Sequence, residues 1–247
     1  ELGREIRKAF VAQRGMQLLS CDYSQVELRV VAHLANDTVM KEAFAKNQDI
    51  HCRTAAELHD VPLENVTREQ RRQAKAINFG ILYGMGAGGI VREIKTSREE
   101  AHAFLEKYFS IHTGIHRYIE EVKAFAHEHH YAETLFGRRR PLPDIAASNS
   151  MLRAAAERAA VNMPVQGTVA DIMKLAMIAV QQDIDAGNIR ARMLLQVHDE
   201  LVFEIALCDV EEAAQRIQHI MENIYTISVP LLVNASVGPN WGELKLL

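Results

Sequence analysis

Strand-like segments of this 247-residue sequence lie near its two ends, and the long middle is helical in pattern. Residues 16–21 form a short apolar run typical of a buried strand. Near the other end, residues 193–197 and 201–205 predict a β-hairpin, and residues 229–237 predict a last strand. Strands at both ends with helices between them predict an α+β fold, in which a helical part interrupts a sheet.

Helical periodicity predicts the elements between these strands. A helix is expected over residues 25–34, and residues 36–150 are mostly helical, with breaks near 60–62, 84–89 and 137–143. Residues 151–186 predict two helices separated near Pro164, and residues 210–224 predict an amphipathic helix. The expected division is therefore 1–34, 35–150 and 151–247.

The composition limits the classes of protein that this chain can represent. With 48% hydrophobic and 24% charged residues, the chain can bury a substantial core. The formal net charge of −4 argues against binding nucleic acid through bulk charge, so such a partner requires local basic clusters.

Features of targeting and redox chemistry predict a cytoplasmic protein without a membrane partner. The first residues are charged where a secretory signal is apolar, and no run of about 18 uncharged apolar residues occurs. The three cysteines have no CxxC spacing, which fits a reducing compartment.

Two aspartates, Asp22 and Asp199, each follow an apolar strand-like run. A carboxylate in such a position must be paired, hydrogen-bonded or bound to metal. If the two strands adjoin, the carboxylates converge and suit Mg²⁺, and a pair of ions could bind the attacking and leaving oxygens of a phosphoryl transfer. Aspartate is also common in hairpin turns, so this alternative stays open for Asp199 alone. The adjacent His198 and Glu200 favour a functional cluster.

One predicted helix carries cations and aromatic rings on a single face. Thr67 and Gln70 match a capping box, so a helix should begin there. Its face is formed by residues at intervals of four: Arg71, Lys75, Phe79 and Tyr83. Cations can bind a triphosphate and aromatic rings can stack on a base, so the face could accept a nucleotide. A solvated face with aromatic anchors is the alternative.

Three segments resemble the A, B and C motifs of family A DNA polymerases, the bacterial DNA polymerase I type. They are Asp-Tyr-Ser-Gln-Val-Glu-Leu-Arg at 22–29, Arg-Arg-Gln-Ala-Lys-Ala-Ile-Asn-Phe-Gly-Ile-Leu-Tyr-Gly at 71–84, and Gln-Val-His-Asp-Glu at 196–200. The resemblance covers essentially the whole chain. It implies a palm with an antiparallel sheet, an inserted helical fingers subdomain, and attack of a primer 3′ hydroxyl on the α-phosphate of a deoxynucleoside triphosphate.

The resemblance also implies roles for individual residues. The metal ligands would be Asp22, Asp199 and the backbone carbonyl of Tyr23, binding two Mg²⁺ ions that Mn²⁺ can replace. Glu200 would act near the primer end, and Lys75 would join the catalytic set. The implied nucleotide-binding residues are Gln25, Glu27, His51, Arg71, Lys75, Phe79 and Tyr83, with Glu27 crowding the 2′ position to reject ribonucleotides.

Primer–template contacts are implied at a second series of residues, Arg158, Asn162 and Gln166, together with His198. Amide side chains suit this task because they can donate to the acceptors that every correct base pair presents in the minor groove. Arg138 and Arg139, in the run that continues to Arg140, are expected phosphate contacts, with a merely solvated loop as the alternative.

The chain is expected to be the palm and fingers part of a longer protein, without its thumb and exonuclease domains. The expected partners are primer–template DNA and deoxynucleoside triphosphates, in a nucleoid-associated cytoplasmic location. Without the thumb, weak duplex binding and little or no activity are expected. Two alternatives are a non-catalytic DNA- or nucleotide-binding fragment and a single-subunit RNA polymerase, against which Glu27 argues.

Overall fold

A computed structural model describes residues 2–247, with side chains from residue 5 onward. The chain divides into two compact units. The sheet unit comprises Val169–Leu247 with the N-terminal segment up to Val26, and the helical unit is Glu27–Thr168. The expected palm and fingers bounds, 1–34, 35–150 and 151–247, stay a prediction.

The structure is mixed helix and strand, so the α+β class is confirmed. The described helices are α1 Leu2–Arg7, α2 Val26–Leu34, α3 Thr38–Ala45, α4 Ile50–His59, α5 Arg68–Leu82, α6 Ala87–Ile94, α7 Arg98–Ile111, α8 Thr113–His129, α9 Ser150–Asp185 and α10 Val210–Asn223. The strands are β1 Met16–Tyr23, β2 Tyr131–Glu133, β3 Arg139–Pro141, β4 Ala191–Val197, β5 Glu200–Ala206, β6 Val233–Gly238 and β7 Lys245–Leu246.

The sheet unit is built on a five-stranded antiparallel sheet of order β4-β5-β1-β6-β7. Strand β1 lies at its centre, and its Leu18, Leu19 and Cys21 are buried. The β4–β5 hairpin confirms the predicted one. Strand β4 is an edge strand, and its register with β5 shifts between Met193 and Leu195.

Helix α10 contacts β1 and β6 of this sheet. Its Ala213, Ile217 and Met221 are buried, and the backbone carbonyl of Met221 accepts a hydrogen bond of 2.7 Å from the Tyr23 hydroxyl. Gln218 Nε2 donates to the backbone of Val233 at 2.8 Å. The predicted amphipathic helix is therefore confirmed, and it fixes the end of β1.

The helical unit contains helices α3–α8, and α5 among them is the predicted cation-bearing helix. Both bonds of the Thr67–Gln70 capping box are formed at the start of α5. The helix ends before Gly84, whose φ of +75° suits glycine, and the Met85 N–H bonds back to the Gly80 carbonyl at 2.7 Å.

Two predictions about secondary structure were wrong. The expected break near Pro164 is absent, because α9 runs from Ser150 to Asp185 with Pro164 inside it. Proline removes one backbone donor, but the neighbouring Val161 and Val165 are buried, and this packing keeps the helix continuous. The last long strand begins at Val233, not at residue 229.

The predicted break at 137–143 contains structure of its own. Strands β2 and β3 pair across this segment, with Tyr131 opposite Pro141 and Glu133 opposite Arg139. Gly137 lies in the connecting turn with a φ of +80°. The Arg138–Arg140 run is therefore held on a small hairpin.

Among the described residues, one helix, Ser150–Asp185, is long and apolar enough by length and composition to cross a membrane. A long core helix passes the same test, and 56% of its apolar window is buried inside the structure. This feature is weak evidence for a membrane span.

Candidate active site

The carboxyl-terminal end of β1 and the β4–β5 turn bring the predicted acidic residues together. Asp22 lies opposite Glu200 in the β1–β5 register. The N–H of Tyr23 donates to the Asp199 carbonyl at 3.1 Å, so the turn is tied directly to the central strand. His198 has a φ of +54°, and its carbonyl accepts from Gln196 Nε2 at 2.8 Å, which shapes the tight turn.

Asp22 and Asp199 form a hydrogen-bonded carboxyl pair. Burial, the charges of Asp199 and Glu200 and the hydrogen bond to Asp199 together raise the pKa of Asp22 to about 7, although the charge of Arg7 opposes the shift. Two neighbouring carboxylates repel each other when both are charged, so without a neutralising cation the pair keeps a proton up to about pH 7. This donor set fits a divalent cation that prefers oxygen ligands.

The acidic residues at this turn could supply only part of a coordination shell. Within the described part of the chain, no three His, Cys, Asp or Glu side chains are grouped as a metal-binding cluster. Mg²⁺ commonly binds one or two carboxylates and takes its other oxygens from backbone, water or substrate. The Tyr23 phenol is engaged with Met221, so the backbone carbonyl of Tyr23 is the donor that this residue could contribute.

Glu200 is held by neighbours of its own. Its Oε1 accepts hydrogen bonds from Ser20 Oγ at 2.6 Å and from Trp241 Nε1 at 2.8 Å. Neither donor was identified by sequence reasoning. Ser20 could have been found because it lies two residues before Asp22 on the same strand, so both side chains share one face of the sheet. Trp241 carries no recognisable local signal.

Gln25 has an unusual conformation between β1 and α2. Its φ is +53°, a left-handed conformation that is uncommon for residues other than glycine, and its Oε1 is buried without a hydrogen-bond partner. A buried acceptor of this kind is available to a donor from a bound molecule.

One cation of α5, Arg71, is oriented by the start of α4. Arg71 donates to Oδ2 of Asp49 from Nε at 2.8 Å and from a terminal nitrogen at 2.7 Å. Asp49 also caps α4 by accepting from the His51 and Cys52 N–H groups. Burial opposes these interactions, yet the bonds from Cys52 and Arg71 hold the pKa of Asp49 below its usual range.

His51 is a buried neutral imidazole. Burial and the charges of Arg71 and Lys75 together lower the pKa of His51 to about 4, although the charge of Asp49 opposes the shift. The Asn78 amide nitrogen lies 3.1 Å from His51 Nδ1 and 3.1 Å from Thr54 Oγ1. Since this nitrogen donates, Nδ1 accepts and the imidazole proton lies on Nε2.

The aromatic end of the α5 face is ordered by ring contacts. Phe79 and Tyr83 stack with ring centroids 6.4 Å apart, and Phe79 lies 5.7 Å from the His51 ring. The Tyr83 hydroxyl donates to Glu27 and also bonds to Gln166. Burial, together with Glu27, raises the pKa of Tyr83 to about 12. The structure thus joins predicted sugar-site and DNA-contact residues.

The predicted DNA-contact residues of the helical unit occupy different settings. Arg158 packs against Gly84, and Asn162 Oδ1 is buried without a hydrogen-bond partner. Arg138 donates to the Gly167 carbonyl at 2.8 Å. Arg139 bonds to a carboxylate, Glu133, at 2.7 Å and lies over the Tyr131 ring. Arg138 and Arg139 are therefore held by protein partners, and Arg140 is exposed.

The chain belongs to DNA polymerase family A, whose family model matches residues 1–243. It is 50% identical over 241 residues to DNA polymerase I of Pseudomonas aeruginosa, covering 98% of this chain and 26% of that protein. It is 49% identical over 245 residues to DNA polymerase I of Deinococcus radiodurans, covering 99% and 25%. The chain therefore spans about a quarter of the length of these relatives.

A solved structure is also similar to this chain. It is the POL domain of Pol1 from M. smegmatis in complex with DNA primer-template and dNTP. The TM-score is 0.94 at 44% identity, covering 98% of this chain and 43% of that chain. The family assignment from the three motifs is confirmed.

Proposed function

We propose that this chain carries the catalytic residues of a DNA-directed DNA polymerase, which adds deoxynucleotides to a primer 3′ hydroxyl under the direction of a template. The observation that carries the proposal is the hydrogen-bonded pair Asp22–Asp199, in which burial and mutual repulsion raise the pKa of Asp22 to about 7. Family membership, relatives named DNA polymerase I, and the similar domain that binds primer-template and dNTP support it.

The carboxylate pair and the Tyr23 carbonyl would hold two divalent cations, Mg²⁺ or Mn²⁺. When bound, these ions would activate the primer hydroxyl and stabilise charge on the attacking and leaving oxygens. Asp22 and Asp199 would supply carboxylate oxygens to the cations, and Glu200 is held by Ser20 and Trp241. A bound cation would also offset the mutual repulsion of the two carboxylates and the cost of burying their charges.

The face of α5 would bind the incoming nucleotide. Arg71, oriented by Asp49, and Lys75 supply cationic donors to the triphosphate. His51 adds its Nε2–H as a neutral donor, and Phe79 and Tyr83 offer ring surfaces to the sugar and base. Glu27, fixed by Tyr83, would exclude a 2′ hydroxyl, while Gln25 offers a buried acceptor.

Primer–template contacts would come from Arg158, Asn162, Gln166 and His198, with Arg138 and Arg139 near phosphates. The Gln166–Tyr83 bond places Gln166 beside the proposed nucleotide site, and the unpartnered Asn162 oxygen leaves an acceptor open to a bound molecule, and both support this assignment. We expect this chain alone to bind duplex weakly and to turn over little, in a cytoplasmic, nucleoid-associated setting.

Primer extension on a defined template tests the proposal. The comparison uses this chain, a form extended to include the thumb, and Asp199→Ala in the extended form, each with Mg²⁺, Mn²⁺ or EDTA. We expect template-directed addition by the extended form with either metal, little by this chain, and a loss of at least about a hundredfold in the variant. An Asp199→Ala variant that extends primers at the parental rate contradicts the assignment.

A further inference from the structure

Trp241 lies beside the acidic cluster although none of the three motifs contains it. Its indole Nε1–H donates to Glu200 Oε1 at 2.8 Å, and Ser20 Oγ donates to the same oxygen at 2.6 Å. Both donors therefore bind one oxygen of the carboxylate and neither binds Oε2. Hydrogen bonds to a charged acceptor are stronger than those between neutral groups, so this pair restrains the orientation of the Glu200 side chain.

The N-terminal segment holds the indole in turn. The Arg7 guanidinium lies 4.3 Å from the Trp241 ring centroid, and the Phe10 ring meets the indole edge-on at 5.5 Å. The Trp241 backbone N–H donates to the Phe10 carbonyl at 3.0 Å. A cation over a tryptophan face and an edge-on aromatic pair are both favourable contacts.

The backbones of the two segments are joined at further points. The Ala12 N–H donates to the Pro239 carbonyl at 3.0 Å, and Val11 forms an isolated antiparallel bridge with Asn240. A Cβ at Gly242 would lie 2.5 Å from Lys8 Cγ and 3.0 Å from the Lys8 backbone nitrogen, so the close approach favours glycine there. The loop that carries Trp241 is thus fixed on both sides of the indole.

We propose that Trp241 is a positioning residue, which orients the Glu200 carboxylate for the polymerase reaction, and that Arg7 and Phe10 hold the indole in place. The proposal rests on the proposed function, because it assigns Glu200 a role at the primer end. It adds Trp241, together with Arg7 and Phe10 that support it, to the residues of the three motifs. Trp241 itself contacts no reacting atom.

The hydrogen bond can be tested on this chain without any activity, because Trp241 is its single tryptophan. One indole N–H signal is therefore expected in a ¹⁵N–¹H NMR spectrum. We expect that signal to exchange slowly with solvent in the unmodified chain and to shift upfield in Glu200→Gln. The control substitution Glu212→Gln, on the exposed surface of α10, should leave the indole signal unchanged. A fast-exchanging indole in the unmodified chain, or no response to Glu200→Gln, overturns the proposal.

Kinetics in the thumb-containing form test the positioning role. Trp241→Phe keeps an aromatic ring against Arg7 and Phe10 but removes the donor, so kcat should fall about tenfold while the KM for dNTP stays within about twofold. In a Glu200→Gln background the same change should alter kcat less than about twofold. Phe10→Leu keeps the indole donor and removes only one of the contacts that hold the ring, so kcat should fall by less than in Trp241→Phe.

The outcomes separate this proposal from the proposed function. A tenfold fall that persists in the Glu200→Gln background shows that Trp241 does not act through Glu200 and overturns the positioning role. A tenfold rise in the KM for dNTP in Trp241→Phe overturns the positioning role too. If the thumb-containing form extends no primer at all, the proposed function fails, while the indole NMR signal still decides whether Trp241 orients Glu200.

Discussion

The hydroxyl of Tyr83 donates a hydrogen bond to Oε2 of Glu27, and so links the end of the α5 face to the segment that follows β1. Gln166 bonds to the same hydroxyl. One phenol therefore fixes the carboxylate proposed to crowd the 2′ position and also contacts a residue proposed to bind base edges.

Selection against ribonucleotides should depend on this pair. Glu27→Ala removes the obstructing carboxylate, so the ribonucleotide-to-deoxynucleotide ratio of kcat/KM should rise at least about tenfold in the thumb-containing form. Tyr83→Phe keeps the Glu27 carboxylate but removes the hydroxyl that bonds to Glu27 and Gln166, so it should raise the ratio about two- to fivefold. A larger effect of Tyr83→Phe than of Glu27→Ala would contradict the role given to Glu27. Competition assays with paired substrates measure both ratios.

The Asp22–Asp199 pair should make stability depend on pH when metal is absent. The pKa of Asp22 is about 7 in the folded chain, and about 3.9 is usual for an unfolded one, so the folded state binds more protons between these values. The free energy of unfolding should therefore fall as pH rises from about 4 to 7, by about 1–2 kcal/mol after allowance for solvent screening.

Asp22→Asn should remove this part of the slope and be more stable than the parent chain at pH 8. Urea unfolding in EDTA at pH 5, 6, 7 and 8 measures the difference between the two, and Asp209→Asn serves as the matched control with the parental slope. Parallel curves for Asp22→Asn and the parent chain would contradict a shared proton at the pair.

The contribution of His51 to the free energy of unfolding should change with pH in the opposite direction. Its folded-state pKa is about 4 and the unfolded value is about 6.5, so the unfolded chain binds more protons in that window. The stabilising contribution is complete above about pH 6.5 and is lost as pH falls towards 4, by about 2–3 kcal/mol. Because Gln keeps an acceptor for Asn78 but does not titrate, His51→Gln should lack this loss. Urea titrations of both proteins from pH 4.5 to 7 measure it.

Gly84 and Gly86 provide a paired test of the loop after α5. A Cβ at Gly84 would lie 2.4 Å from Arg158 Cγ, and its φ is +75°, whereas a Cβ at Gly86 meets nothing within 4 Å. Gly84→Ala should therefore destabilise the chain by about 1–2 kcal/mol and displace Arg158, while Gly86→Ala should change stability by less than about 1 kcal/mol. Thermal unfolding measures the stability of both variants. Primer–template binding by the thumb-containing form measures the displacement of Arg158. Equal effects of the two substitutions would be the contrary result.

Local signals explain what the sequence could predict. The capping box at Thr67 and the spacing of four residues from Arg71 to Tyr83 depend on nearby positions only, and both are formed. The hairpin around Asp199 was predictable for the same reason. Family resemblance then supplied roles that periodicity alone left open between a nucleotide site and a solvated helix face.

Residues that act through distant partners could not be found this way. Trp241 reaches Glu200 only because the C-terminal loop closes against residues 8–12, and Asp49 orients Arg71 because α4 and α5 pack together. The Pro164 error has a related cause, since burial of the flanking residues outweighs a local helix-breaking preference. Tertiary contacts decide these cases, and they leave little trace in local sequence.

The register shift in β4 has a consequence for how the protein behaves at high concentration. An open strand edge can recruit a strand from another molecule, and a bulge spoils the regular ladder that such recruitment needs. Arg192, 63% exposed beside the shift and paired with buried Glu204, adds charge at this border. The hairpin that carries Asp199 is thus protected against intermolecular β-pairing, which favours colloidal stability in concentrated solution.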